Sequence, residues 1–151
     1  MTDDARMALQ VLREYRHIDK RTREIMERIE RCRDEAMRAT ASMTVARTSG
    51  SGERSRVETA VVRMVDIQTQ LEDALTQSSE RRERIQDTIN QIEPVELRRL
   101  LEMRYIDGSQ WERINTQMHI SRTTSYRMHI AALEWFWGIW TAEKSEHHET
   151  S

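Results

Sequence analysis

Residues 94–140 read PVELRRLLEMRYIDGSQWERINTQMHISRTTSYRMHIAALEWFWGIW, and the punctuation of this stretch decides the fold. Pro94 pushes Glu93 away from α geometry and itself suits the first turn of a new helix. Val95, Leu97, Leu100, Leu101, Met103, Tyr105 and Ile106 then supply one helix with a broad apolar face. Asp107-Gly108 breaks that helix, and Ser109 is expected to cap a second, running from Gln110 to Met118. In it Trp111, Ile114 and Met118 are spaced to face inward. His119-Ile120 is a tight connection, and Ser121 is a second cap ahead of a third helix from Arg122 to about Trp140. Two short helices, a turn and a Ser-capped third helix predict a helix-turn-helix, whose last helix enters the major groove.

Upstream of Pro94 the pattern is narrower. Tyr15, Ile18, Thr22, Ile25, Ile29, Cys32, Ala36, Ala39 and Met43 recur at alternating steps of three and four, the spacing of a coiled-coil seam. A second seam follows at Val57, Val61, Met64, Gln68, Leu71, Leu75, Ser78, Arg82, Ile85, Ile89 and Ile92. Thr48-Ser49-Gly50-Ser51-Gly52-Glu53-Arg54-Ser55 between them reads as a loop. The expected architecture is all-α. A long antiparallel helical hairpin occupies 1–93 with its loop at 48–55, a helix-turn-helix domain occupies 94–140, and 141–151 forms a disordered polar tail.

Composition narrows the function classes. The chain has 151 residues, 33% of them charged, with one Pro and four Gly, which argues against a β-sandwich or a Gly-rich nucleotide fold. No apolar run approaches the roughly 20 residues of a membrane span. Residues 1–10 carry Asp3 and Asp4 and no apolar core, so no signal peptide is expected and the cell compartment is expected to be the cytoplasm. With Cys32 alone, neither an intrachain disulfide nor a cysteine zinc site is expected. Metal and cofactor are both expected to be absent. No phosphate-cradling Gly loop, nucleophile elbow or His-Glu-x-x-His helix is present, so an enzyme is not expected. Net charge is −1 over 1–93, +1 over 94–140 and −2 over 141–151, so binding to DNA would have to use a local patch.

Helix rotation places that patch. If Ile120 plugs the turn and Ser125, Met128, Ala132 and Leu133 face inward, then Arg122, Thr123, Thr124, Tyr126, Arg127 and His129 face outward. Arg122 is suited to bidentate contact with guanine, the Thr methyls to thymine, and Tyr126 and Arg127 to phosphate. Ser121, as the cap, leaves backbone N–H groups free for a further phosphate. Trp135, Phe136, Trp137 and Trp140 cluster within six positions, and the sequence leaves two readings open. They pack into the core, or they form a contact surface for a second copy or for a polymerase.

The run Leu100-Leu101-Glu102-Met103-Arg104-Tyr105-Ile106-Asp107-Gly108, then Trp111-Glu112-Arg113-Ile114, Ile120-Ser121-Arg122 and Tyr126-Arg127-Met128-His129, resembles the DNA-binding region 4 of bacterial sigma factors. It is more similar still to small phage regulators of the autolysin-regulator (ArpU) type. In that group a long helical segment opening on a string like Tyr15-Arg16-His17-Ile18-Asp19 also precedes the helix-turn-helix. This chain departs from the group at His119, usually Gly, at Asn115, usually a small residue, and at Ser125, usually Val. The resemblance implies control of phage late or lytic genes through double-stranded promoter DNA, with host RNA polymerase as a further partner. Two other functions fit a helical oligomerisation element joined to a trihelical end. One is a small terminase-like DNA-packaging subunit; the other is a scaffold or inhibitor that binds protein only.

Overall fold

A computed structural model of the chain describes residues 1–45 and 51–149, except the side chains of 42–45, 51, 53, 54, 57 and 147–149. The fold is all-α. Helix α1 spans Asp3–Val45, α2 Ser51–Asn90, α3 Val95–Leu101, α4 Trp111–Met118 and α5 Arg122–Glu149. A wider π-helical turn over Glu102–Ile106 continues α3. No helix among the described residues is long and apolar enough to cross a membrane.

Two compact units divide the chain, one made of 1–18 with 81–151 and the other of 19–80. The second unit comes from the seams alone. Its α1 portion buries Thr22, Ile25 and Ile29 and half-buries Cys32, Ala36 and Ala39. Its α2 portion half-buries Val61, Met64, Gln68, Leu71, Leu75 and Ser78, and Arg33 meets Glu72 at 3.7 Å. Among the described side chains, the stripe predicted from spacing is thus the stripe withdrawn from water; those of Met43 and Val57 lie outside them. It is thin, because a 3.5-residue repeat puts only two positions in seven on the seam.

In the first unit the domain boundary differs from the sequence expectation. The segment after Pro94 does not enclose a core of its own. Leu100, Leu101, Met103, Tyr105, Ile114, Ala132, Leu133, Phe136 and Trp140 share one cluster with Ala5, Ala8, Val11, Leu12 and Tyr15 of α1, Ile85 and Ile89 of α2, and Ile92 just after it. The reason is size. Below about 40–60 residues a chain buries too little apolar surface to offset the entropy of ordering it. The start of α1 and the end of α2 supply what is missing. Ala5 and Ala8 let α1 approach closely, and Thr2 caps it, its hydroxyl accepting from the Ala5 amide at 3.3 Å.

Two further expectations are corrected. Residues 51–55 of the expected loop are helical, while 48–50 lie outside the described residues. Extending an existing helix adds a hydrogen bond per residue, and Gly52 costs it only about 1 kcal/mol. The polar tail expected to be disordered from 141 continues α5 as helix through Glu149, with 150–151 outside the described residues. Glu143 anchors it, accepting from Gln91 at 2.6 Å and pairing with Arg84 at 3.7 Å, contacts that only the tertiary fold supplies.

All four Trp (111, 135, 137 and 140) lie in the first unit, so their fluorescence follows its unfolding. Leu12→Ala, remote in sequence from every Trp and fully buried, should cost about 2–5 kcal/mol in urea unfolding read by that fluorescence. The isolated segment 94–140 should show no cooperative transition. A near-neutral Leu12→Ala, or cooperative unfolding of that segment, would contradict the shared core.

Candidate nucleic-acid interface

Helix α4 ends because of its backbone. His119 adopts φ 55° and ψ 44°, the left-handed conformation. The Ile120 amide donates to the Asn115 carbonyl at 3.1 Å, and the His119 amide donates toward the Thr116 carbonyl at 3.4 Å. These bonds satisfy carbonyls that the helix end would otherwise orphan. Ile120, half-buried against the core, then plugs the turn as its position predicts. Ser121 caps α5, its hydroxyl accepting from the Thr124 amide at 3.1 Å and donating to the Thr124 hydroxyl at 3.0 Å. The expected cap at Ser109 is not formed. Gln110 stands at the cap position of α4 without a side-chain bond, and the Ser109 amide and carbonyl instead bond Met103 and Arg104.

Rotation of α5 about its axis sorts the predicted site residues. Ser125, Ala132, Leu133, Phe136 and Trp140 are buried and Met128 half-buried, so one flank faces the core. Ser121, Arg122, Thr123, Thr124, Tyr126 and Arg127 are all exposed on the opposite side. Tyr126 is 55% exposed. Among the described residues, the side chains of Arg122, Thr123, Tyr126 and Arg127 make no hydrogen bond or ion pair, and the Ser125 hydroxyl donates only to the Arg122 backbone carbonyl at 3.1 Å. Ser121 and Thr124 are occupied with each other at the cap.

His129 is a correction. It is 8% exposed, and its Nε2 lies 2.7 Å from the Tyr105 hydroxyl. The ring stacks on Tyr105 and meets the edge of Trp111, with centroids 5.9 and 4.8 Å away. Burial, aided by the charges of Arg104 and Arg13, lowers its pKa to about 4, so the imidazole is neutral at pH 7. Burial likewise raises Tyr105 to about 12 against those two charges. The phenol and the ring nitrogen thus share one hydrogen bond in which both groups stay neutral. A side chain in this setting fixes the angle of α5 against the π-helical turn and cannot reach a groove. Sequence spacing misplaced it because 129 lies seven residues after Arg122, about two helical turns, where a small rotation moves a position from rim to core.

The aromatic cluster also divides. Phe136 and Trp140 are core residues, their rings stacked at 5.5 Å, so they form no interaction surface. Arg84 and Arg81 of α2 lie 3.8 and 4.8 Å from the Trp140 ring centroid. Trp137 is half-buried, and Trp135 alone of the four is open, at 40% exposure. It lines a shallow groove with Ala131, Gly138 and Ile139.

Sequence reasoning missed a second cluster, where α1 meets the break between α3 and α4. Gly108 has φ +72°, and the guanidinium of Arg16 lies where a Cβ would stand. Arg16 donates to the Asp107 carbonyl at 3.1 Å. Arg104 donates to the Ser109 carbonyl at 3.0 Å and lies 5.1 Å from the Trp111 ring centroid. The spacing of Arg13, Arg16 and His17 on one helical face was the available signal.

A family profile described as "Protein of unknown function (DUF1492)" matches residues 37–135. The chain belongs to that family. The match takes in all of α2, α3 and α4 and the first half of α5. Neither a curated relative nor a solved structure matches the chain.

Two outcomes check this geometry. His129 is neutral in the fold but binds a proton below about pH 6.5 when unfolded, so the unfolded state takes up more protons between those limits. Its contribution, up to about 3 kcal/mol, is whole above pH 6.5 and is lost as pH falls toward 4. Urea unfolding at a series of pH values should show that slope in the native chain and lose most of it in His129→Gln. His119→Gly should stabilise by about 1 kcal/mol, since glycine takes the left-handed turn without a Cβ penalty. A loss of stability there would place the turn in another conformation.

Proposed function

We propose that this chain is a sequence-specific DNA-binding regulator of phage late or lytic promoters, with a helix-turn-helix like that of sigma region 4. Helices α4 and α5 form the motif and α5 enters the major groove. One observation carries the reading: the first two turns of α5 bury one flank and expose Arg122, Thr123, Tyr126 and Arg127 on the other, their side chains without a hydrogen-bond or ion-pair partner among the described residues. Neither arginine is spent on a carboxylate among the described residues, whereas α1 spends Arg23 on Asp19 at 2.8 Å. An exposed Tyr between two unpaired Arg suits phosphate and base edges instead.

The resemblance to autolysin-regulator proteins supports the promoter assignment and a cytoplasmic place of action in a bacterial host. Host RNA polymerase is a further partner under this reading. So few base contacts in one copy give modest discrimination, at about 1–3 kcal/mol for each good bidentate pair, so a second copy or partner would add specificity. Trp135 is the member of the aromatic cluster available for such a contact, and the helices of the second unit offer another route. The packaging and scaffold readings have no comparable observation behind them.

Binding of the full chain to duplex DNA, selected from a random pool at low salt, tests the proposal. Arg122→Ala should weaken selected sites more than unrelated DNA. Arg127→Ala should weaken both alike and reduce the salt dependence. Equal loss of specificity from both variants would overturn the assigned rotation of α5, and no binding at low salt would overturn the function.

A further inference from the structure

A groove of about 590 Å³ in the first unit opens between the first turns of α1 and the junction of α3, α4 and α5. Arg13, Arg16 and His17 come from α1, Arg104 and Trp111 from the far wall, and Tyr126 from the exposed flank of α5. No carboxylate lines it among the described residues. Arg16 and Arg104 are held in place by backbone carbonyls, which orient a guanidinium without cancelling its charge. Arg13 is exposed and has no carboxylate partner among the described residues.

Three guanidinium groups line one groove with no carboxylate among its lining residues, one of them over the Trp111 ring, a concentration of positive charge that attracts an anion. Apolar walls strengthen the attraction for such an anion by keeping water back. The field is felt inside the fold, where Arg104 and Arg13 both help to keep His129 unprotonated. Tyr126 belongs at once to this groove and to the flank carrying Arg122 and Arg127, so a strand lying along that flank would pass the groove mouth.

We propose that this groove is a phosphate site for the backbone of the duplex read by α5, with Arg13 as its exposed anchor and Arg16 and Arg104 as fixed charges. Helix α1 thereby belongs to the DNA interface. The proposal rests on the DNA-binding reading above and assigns the phosphate to a duplex, the alternative source of the same chemistry being a free nucleotide.

The test uses the full chain, a fluorescent duplex and a salt titration, with a thermal melt to confirm that each variant folds. Arg13→Gln should lower the slope of log affinity against log salt by about 1, on selected and unrelated duplexes alike. Between 50 and 200 mM salt that variant should then lose about fourfold less affinity than the native chain. Arg13→Lys should restore the slope, and Arg63→Gln, exposed on α2, should leave it unchanged. If the native chain binds duplex and Arg13→Gln keeps its slope, the groove proposal fails while the DNA reading stands. If the native chain binds no duplex at low salt, both fail. Adenosine monophosphate that quenches Trp111 and is not displaced by duplex would assign the groove to a free nucleotide and overturn the duplex proposal.

Discussion

The first unit depends on one packing event: Leu12 and Tyr15 of α1, Ile85 and Ile89 of α2 and Ile92 just after it enter the same cluster as Leu100, Leu101, Ile114, Phe136 and Trp140. Three helices after Pro94 cannot wrap a dry interior by themselves, whatever their individual patterns. With two more helices beneath them, α3 packs on α5 and the π-helical turn on α4. The exposed flank of α5 is then a consequence. Once Ala132, Leu133, Phe136 and Trp140 are committed inward, Arg122 and Arg127 are left facing solvent and Tyr126 stays exposed at the mouth of the groove.

Polar contacts refine this packing rather than drive it. The Tyr105–His129 bond is short and buried, and both groups are held in their neutral forms, so no charge is stranded in the interior. The arginines of this unit are satisfied in two ways, of which only the first keeps the charge available. Arg16 and Arg104 use backbone carbonyls, while Arg81 and Arg84 lie over Trp140 and also meet Glu14 and Glu143. Arginine suits this role better than lysine because its flat guanidinium stacks on rings and donates in a fixed plane.

Particular residues show how far the sequence could be read. The seam from Tyr15 to Ala39 and the one from Val61 to Ile92 match the solvent-shielded positions, because a heptad repeat depends only on local geometry. Ile120 as a plug, Ser121 as a cap and Ser125 as an inward residue were legible for the same reason. His129 was not. Whether a histidine two turns into a helix meets water or a tyrosine depends on how Tyr105 approaches, and that approach depends on the π-helical turn. Ala5 and Ala8 were also passed over, since small residues carry little apolar signal until another helix lies against them.

Sequence alone determined that the chain is helical, where Pro94 starts a new element, which stripes are apolar and which residues stand at the start of α5. These follow from backbone sterics and from periodicity, which act over a few residues. The tertiary structure decided that the ends of α1 and α2 complete the core, that Phe136 and Trp140 are inside while Trp135 is not, and that Arg13 and Arg16 gather beside Arg104. Those outcomes depend on contacts between residues some 90 positions apart, such as Arg16 with Asp107. Periodicity records which face of a helix is apolar; only packing records what that face meets.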